Sequence, residues 1–190
     1  MPVLSITMRP GALIFLFLLG SFASAFTQQA PATAEEILKE GFATAKKENK
    51  KLMVIFHASW CGWCHKMDTS LNDVSVKKYF DDNFVIRHLV VFESKTKKNL
   101  ENPGAEELIN KYNGKEEGIP FWLVFDKDEN FLTDSRRKEI VNGVEKLRNT
   151  GCPATKEEVD YFITMLKNTT SLKEEELEKI RVRFRRNEMN

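Results

Sequence analysis

At 190 residues the chain is sized for one domain with a small appendage, on the usual prior of ~150 residues per domain. Its 42% hydrophobic content, 14 Phe and 30% charged residues can fill a sizeable core, which excludes a disordered chain, a collagen-like fibre and a multi-span membrane protein. A net charge of +1, from 29 Lys and Arg against 28 Asp and Glu, leaves no electrostatic footprint for nucleic acid, and three cysteines are too few for a disulfide-stapled scaffold.

Residues 1–25 read as a secretory leader. Arg9 is their single charge, the apolar run Ala12–Leu19 follows, Gly20 and Ser21 break it, and Ala23-Ser24-Ala25 supplies the small residues of a cleavage site. The run falls far short of the ~20 residues that span a bilayer, so cleavage after Ala25 is read in preference to an uncleaved anchor. Cleavage leaves 28 cations against 28 carboxylates. The C-terminus Arg186-Asn-Glu-Met-Asn190 is no K-D-E-L-type retention tail. The mature protein is placed in the periplasm, with secretion or the endoplasmic reticulum lumen as alternatives.

Beyond the leader, Thr33-x-x-Glu36 opens a capping box, and Leu38, Phe42 and Ala45 mark one face of an amphipathic helix. Leu52–Phe56 has the length and composition of a strand, and Phe84–Phe92 is a second. Residues 93–118, rich in Lys, Glu, Asn and Gly, read as a surface insertion around a short helix at Leu108, Ile109 and Tyr112. Phe121–Phe125 is a third strand, joined through the polar turn Asp126–Asn130 to a weaker fourth at Phe131-Leu-Thr133, as an antiparallel hairpin. Capping boxes at Thr155-x-x-Glu158 and Ser171-x-x-Glu174 start two more helices. Val159, Phe162, Ile163 and Leu166 face inward on the first. The second offers only Leu177, Ile180 and Phe184 among many charges, and reads as a helix that frays or docks at the edge. A mixed sheet with helices on both faces accommodates this order.

The chemistry concentrates in Trp60-Cys61-Gly62-Trp63-Cys64-His65, which follows the first strand directly and leads into a helix start. A C-x-x-C at such a junction places Cys61 where unpaired N–H groups and the helix dipole stabilise negative charge. Such sites lower a cysteine pKa from ~8.5 into the range of roughly 3.5–7.5. Cys64, three residues on, shares the helical face and lies within disulfide reach. One cysteine attacks and the other resolves.

These residues resemble a thioredoxin-fold thiol–disulfide oxidoreductase. The resemblance rests on the strand Leu52–Phe56, the Trp60-Cys61-Gly62-x-Cys64 motif, and Gly118-Ile119-Pro120 ahead of the strand 121–125. It implies an α/β, three-layer thioredoxin-like fold over residues 26–167, carried most closely by 33–167, with 168–190 as a charged C-terminal helical extension. It also implies a cis-proline at Pro120 facing the motif, with Ile119 offering backbone hydrogen bonds to the substrate chain. Cys61 is then the catalytic nucleophile and Cys64 the resolving thiol of a redox-active disulfide. Trp60 and Trp63 flank and shield an exposed cysteine, and with Gly62, Ile119 and Pro120 they meet the partner chain. Three departures stand out: Ile55 occupies the place of the family's buried strand Asp, Trp63 replaces a proline between the cysteines, and the 93–118 insertion lengthens the path to Pro120. His57, on the same strand face as Ile55, reads as an ordinary partly buried histidine rather than a proton relay.

The implied activity is exchange with disulfides of other proteins, in the direction of a reductase or isomerase, the isoleucine before Pro120 resembling reducing members. The implied partners are proteins carrying disulfides or thiols and an upstream membrane electron donor, with membrane contact only through the leader. No bound cofactor is implied, because the cysteine pair is itself the redox centre, and no metal site is read. Three rivals remain. Cys61-Gly-Trp-Cys-His65 matches C-x-x-C-H haem attachment, with Met165 or Met189 as a distal ligand, but a strand entering the motif is foreign to mostly helical c-type cytochromes. Zinc commonly needs a second close pair of ligands. A non-catalytic binding or chaperone module would use only the groove beside Pro120. Cys152 in Gly151-Cys-Pro153 reads as a buried packing residue rather than a third redox thiol. Lys66 reads as a solvated residue, and Asn168-Thr-Thr170 matches a glycosylation pattern that is common by chance.

Overall fold

The computed structural model describes residues 1–3 and 30–189, so the leader reading falls, from residue 4 on, outside the described residues. Among the described residues, no helix is long and apolar enough to cross a membrane.

Helix α1, Ala34–Glu48, starts at the expected capping box, where Thr33 Oγ1 accepts from Glu36 N at 3.2 Å and Thr33 N donates to the Glu36 carboxylate at 2.8 Å. Strand β1, Lys51–His57, is buried on both faces over its middle five residues, which is why it reads as an unbroken apolar run. It enters α2, Gly62–Leu71, and then α3, Lys77–Asn83, a short helix that the sequence reading did not separate. Strand β2, Phe84–Val90, ends two residues earlier than the apolar run suggests. Val91 N still donates to His57 O at 2.9 Å, but Phe92 turns into the left-handed region at φ 55° and takes the chain out of the sheet. Helix α4, Ala105–Lys111, sits inside the insertion, with Ala105 and Ile109 buried.

Strands β3, Phe121–Phe125, and β4, Phe131–Asp134, form the expected hairpin. The sheet order is β2-β1-β3-β4, with β1–β2 parallel and the other pairings antiparallel, a mixed sheet. Leu52, Val54 and Phe56 face α1 and α4. Met53 and Ile55 face a second core built with α2, α3, α5 (Lys156–Thr169) and α6 (Glu174–Arg185). Helices cover both faces, as in a thioredoxin-like three-layer fold.

Two further features differ from the sequence reading. Helix α6 begins at Glu174 with Lys173 as its cap residue, not at Ser171, because Thr170 is extended and Leu172 packs against the core before the helix can start. The same helix docks fully rather than at an edge. Leu177, Ile180 and Phe184 are buried, and the Phe184 ring lies 4.8 Å from Phe162, so three well-spaced apolar residues suffice when the charged ones face water. The second difference is a ribbon of two further strands, β5 (Arg136–Val141) and β6 (Val144–Asn149), paired only with each other. Asn142-Gly143 at its tip, both residues at positive φ, is a strong hairpin signal set among charged residues.

Candidate active site

Strand β1 delivers Ala58-Ser59-Trp60 to the start of α2, and the neighbouring loop grips this turn. The buried Glu93 carboxylate accepts from Ser59 N at 2.5 Å and from Ser59 Oγ at 2.9 Å, while Trp60 Nε1 donates to Phe92 O at 2.8 Å. Burial pushes the Glu93 carboxyl upward, but the Ser59 backbone and hydroxyl hydrogen bonds outweigh it and hold the group below its ordinary value. Glu93 is ionised at neutral pH as a clamp on the turn. It was missed in the sequence because it lies 34 residues from Ser59, in a segment that reads as solvated charge.

Cys61 is the cap residue of α2, with extended backbone at φ −82° and ψ 98°, and its Sγ accepts from Cys64 N at 3.1 Å. A sulfur in that position occupies the place of a capping oxygen, where the first helical N–H groups point outward. Cys61 and Cys64 form a disulfide of 2.06 Å, with Cα atoms 5.3 Å apart. Against the picture of an exposed cysteine, Cys61 is only 3% exposed, packed with Ala58, Cys64 and Ile119. Its Sγ lies 3.6 Å from Ile119 O. The Ile119–Pro120 bond is cis, as the resemblance implied.

Around this pair the surface is open. Trp60 is 60% and Trp63 49% exposed, and a Cβ added at Gly62 would meet nothing within 4 Å. Lys66, read as simply solvated, instead lies 4.3 Å from the Trp63 ring centre and reaches Asn187 O at 3.3 Å. His65 is exposed on the first turn, its Nε2 3.1 Å from Ser59 O. The Pro120 loop is held from its other side by Asn149, whose Nδ2 is shared among the carbonyls of Glu117, Gly118 and Pro120 at 3.0–3.2 Å. Gly151, at φ 58°, passes so near that a Cβ there would stand 3.4 Å from Pro120 O.

The remaining singled-out residues stand apart. His57 is half-buried against His88, ring centres 5.1 Å apart, and His88 Nε2 lies 2.8 Å from Asp68 Oδ1. Burial and then the His88 ring pull the His57 imidazole below its ordinary value. Cys152 is a free thiol buried in the core under α5, its Sγ accepting from Asn187 Nδ2 at 3.4 Å. Burial pushes that thiol up to about 12. A thiol so protonated at neutral pH makes a poor nucleophile. Cys152→Ala is therefore expected to keep the rate of disulfide exchange within about threefold of wild type, read by thiol release from a small disulfide. A groove of about 1160 Å³ between α1 and α4, lined by Leu38, Phe42 and Leu108 among others, includes none of the motif residues. No cluster of three or more His, Cys, Asp or Glu suited to a metal occurs among the described residues.

A family model described as thioredoxin-like matches residues 33–127, half of the chain. No curated protein matches by sequence. Among solved structures, a disulphide isomerase from Xylella fastidiosa Temecula1 is 25% identical over 54% of this chain and 73% of its own, with a TM-score of 0.45. A protein described as DsbH oxidoreductase is 19% identical over 76% of this chain and 88% of its own, at a TM-score of 0.43. The oxidised C-terminal domain of DsbD from Neisseria meningitidis is 20% identical over 74% of this chain and 99% of its own, at a TM-score of 0.42.

Proposed function

The chain belongs to the thioredoxin-like family, and we propose that it is an exported thiol–disulfide oxidoreductase acting on disulfides of other proteins through Cys61 and Cys64. The observation that carries this reading is the Cys61 sulfur at the α2 cap, joined to Cys64 and 3.1 Å from the Cys64 N–H. The same N–H that meets the sulfur in the disulfide can donate to a Cys61 thiolate once the pair is reduced.

In the reducing direction the Cys61 thiolate attacks one sulfur of a partner disulfide. A Cys61–partner disulfide forms, and the other partner sulfur leaves as a thiolate that takes a proton from water. Cys64 loses its proton and attacks Cys61 Sγ, closing the Cys61–Cys64 bond and releasing the second partner thiolate. Two electrons pass from the pair to the partner, and an upstream donor of two electrons must reopen the pair for the next turn. Ile119 and Pro120 line the approach, with Trp60, Gly62 and Trp63 on the opposite rim. The leader-like residues 1–25 support a periplasmic location. Entry of β1 into the motif suits disulfide exchange and leaves haem attachment unexplained.

Equilibration of the pure protein in graded glutathione buffers tests both activity and direction. A Cys61–Cys64 midpoint at or below about −180 mV is expected for a reductase or isomerase, whereas one near about −120 mV would make the protein an oxidant. A pair that never exchanges with glutathione would remove the oxidoreductase reading.

A further inference from the structure

The ribbon β5–β6 leaves the sheet at its active-site end. Strand β3 starts beside Pro120 and β4 runs back antiparallel to it, so Ser135 N, just before β5, donates to Trp122 O at 3.0 Å. The base of the ribbon is locked to the Pro120 loop. Asn149 binds three carbonyls of that loop, Asn149 N donates to the Glu117 carboxylate at 3.2 Å, and Arg136 pairs with Asp134 at 2.5 Å. A continuous path therefore runs from the Cys61 sulfur to Ile119 O, to Pro120 O, to Asn149 and into β6.

Beyond this base the ribbon stands bare. Ile140 is 68% and Leu147 49% exposed, on a two-stranded element whose outer edges pair with nothing among the described residues. Such a ribbon gains nothing of its own from presenting large aliphatic side chains to water. The register sets their direction. Asn149 lies opposite Arg136, Leu147 opposite Lys138 and Glu145 opposite Ile140, so Leu147 and Ile140 share the face from which Asn149 reaches the Pro120 loop. At a rise of roughly 3.3 Å per residue, Leu147 stands about 7 Å from Asn149, and Ile140 about 13 Å from Arg136. The charge is divided between the two faces: beside Leu147 and Ile140, Lys138 pairs with Glu145 and Arg136 with Asp134, whereas on the other face Arg137, Lys146 and Arg148 outnumber Glu139.

We propose that β5–β6 is a recognition arm for the disulfide-bearing partner, taking an extended segment of mixed acidic and aliphatic residues next to the partner's reacting cysteine. The inference rests on the oxidoreductase reading and adds the class of partner to it. The backbone of the segment pairs with an open ribbon edge, so that its aliphatic side chains lie beside Leu147 and Ile140 and its alternating carboxylates fall on the other face, toward Arg137, Lys146 and Arg148.

The test compares two extended peptides, each with one cysteine joined to 2-mercaptoethanol and flanked either by alternating Glu and Leu or by alternating Lys and Ser. The pre-reduced full-length protein reacts in a single turnover, yielding its own disulfide, the peptide thiol and 2-mercaptoethanol. The expected result is a rate at least about tenfold higher for the Glu/Leu peptide, a preference that shrinks at least about threefold in the Ile140→Ser/Leu147→Ser double variant, which keeps the ribbon's cations. Both sites are surface-exposed, and an unchanged rate with bis(2-hydroxyethyl) disulfide shows that the variant is folded and its cysteine pair intact. Equal rates for the two peptides in the wild type would overturn the proposal, as would a preference undiminished in the double variant. A wild-type dimer that the double variant dissociates would make this face an interface between copies and overturn it too. If the wild type fails to exchange even with bis(2-hydroxyethyl) disulfide, the oxidoreductase reading itself falls, and the recognition arm with it.

Discussion

Cys64→Ser protein expressed in living cells is expected to accumulate mixed disulfides with partner polypeptides that vanish on reduction, and Cys61→Ser protein few or none. The asymmetry follows from the α2 cap. Cys61 Sγ accepts the Cys64 N–H and adjoins the Ile119–Pro120 edge, whereas Cys64 lies one residue past Trp63 on the inward face of the first turn, 1% exposed. A thiolate at Cys61 is stabilised by the helix N-terminus, and one at Cys64 lacks that contact. Serine at 64 preserves shape but cannot attack Cys61 Sγ, so the first intermediate has no intramolecular exit. Exchange with small disulfides is expected to drop on the order of a hundredfold or more in Cys61→Ser, since the remaining thiol lacks the helix-cap contact that activates Cys61. Trapping is scored on non-reducing gels, and the bound chains identify the substrates. If Cys61→Ser traps and Cys64→Ser does not, the two roles are reversed. If neither traps and the wild type reduces nothing, the fold serves as a binding module beside Pro120.

Much of this site is legible in sequence because its chemistry is local. The cap, the nucleophile and the resolving thiol lie within four residues, and β1 is buried on both sides and so reads as an apolar run. Ile119 and Pro120 are distant in sequence and became visible only through the resemblance to the thioredoxin family. What stayed hidden depends on long-range polar contacts. Glu93 holds Ser59 across the β1–β2 edge, and Asn149 holds the Pro120 loop from 29 residues away. Neither residue type, in a charged stretch, carries a periodicity that marks it as buried or anchoring. The end of β2 at Val90 is equally opaque, because the left-handed Phe92 that takes the chain out of the sheet follows from the turn toward Glu93 and not from local preference. The β5–β6 ribbon failed differently. Its Asn-Gly turn was present to be read, but its strands carry charge on both faces and lack the alternation that announces a half-buried strand.

The C-terminal helix gives the sharpest case of charge masking a core element, and substitution there is expected to show it. Phe184 is fully buried, its ring centre 4.8 Å from that of Phe162 and 6.0 Å from that of Phe80 in tilted contacts, three rings drawn from α6, α5 and α3. Phe184→Ala should cost about 3–5 kcal/mol, a large share of the ~5–15 kcal/mol that holds a domain together. Val182, two residues away and 49% exposed, should lose no more than about 0.5 kcal/mol on replacement by Ala. Urea denaturation separates the two through its midpoint; equal, small losses would mean that α6 only rests on the edge. The helix is also tied to the turn between α2 and α3 by Arg183, buried and bonded to Asp73 at 2.5 Å. Hydrogen bonds from Ser75, and then from Arg183, hold the Asp73 carboxyl at about 2. Because that value lies below the ~3.9 of an unfolded aspartate, its stabilisation is complete above about pH 4 and is lost as pH falls toward 2. Asp73→Asn should therefore lower the urea midpoint at pH 7 and flatten its decline between pH 4 and 2. An Asp73→Asn protein whose midpoint falls over that range as steeply as the wild type's would show that other carboxylates carry the acid sensitivity, and that the Arg183 contact adds no pH-dependent hold on α6.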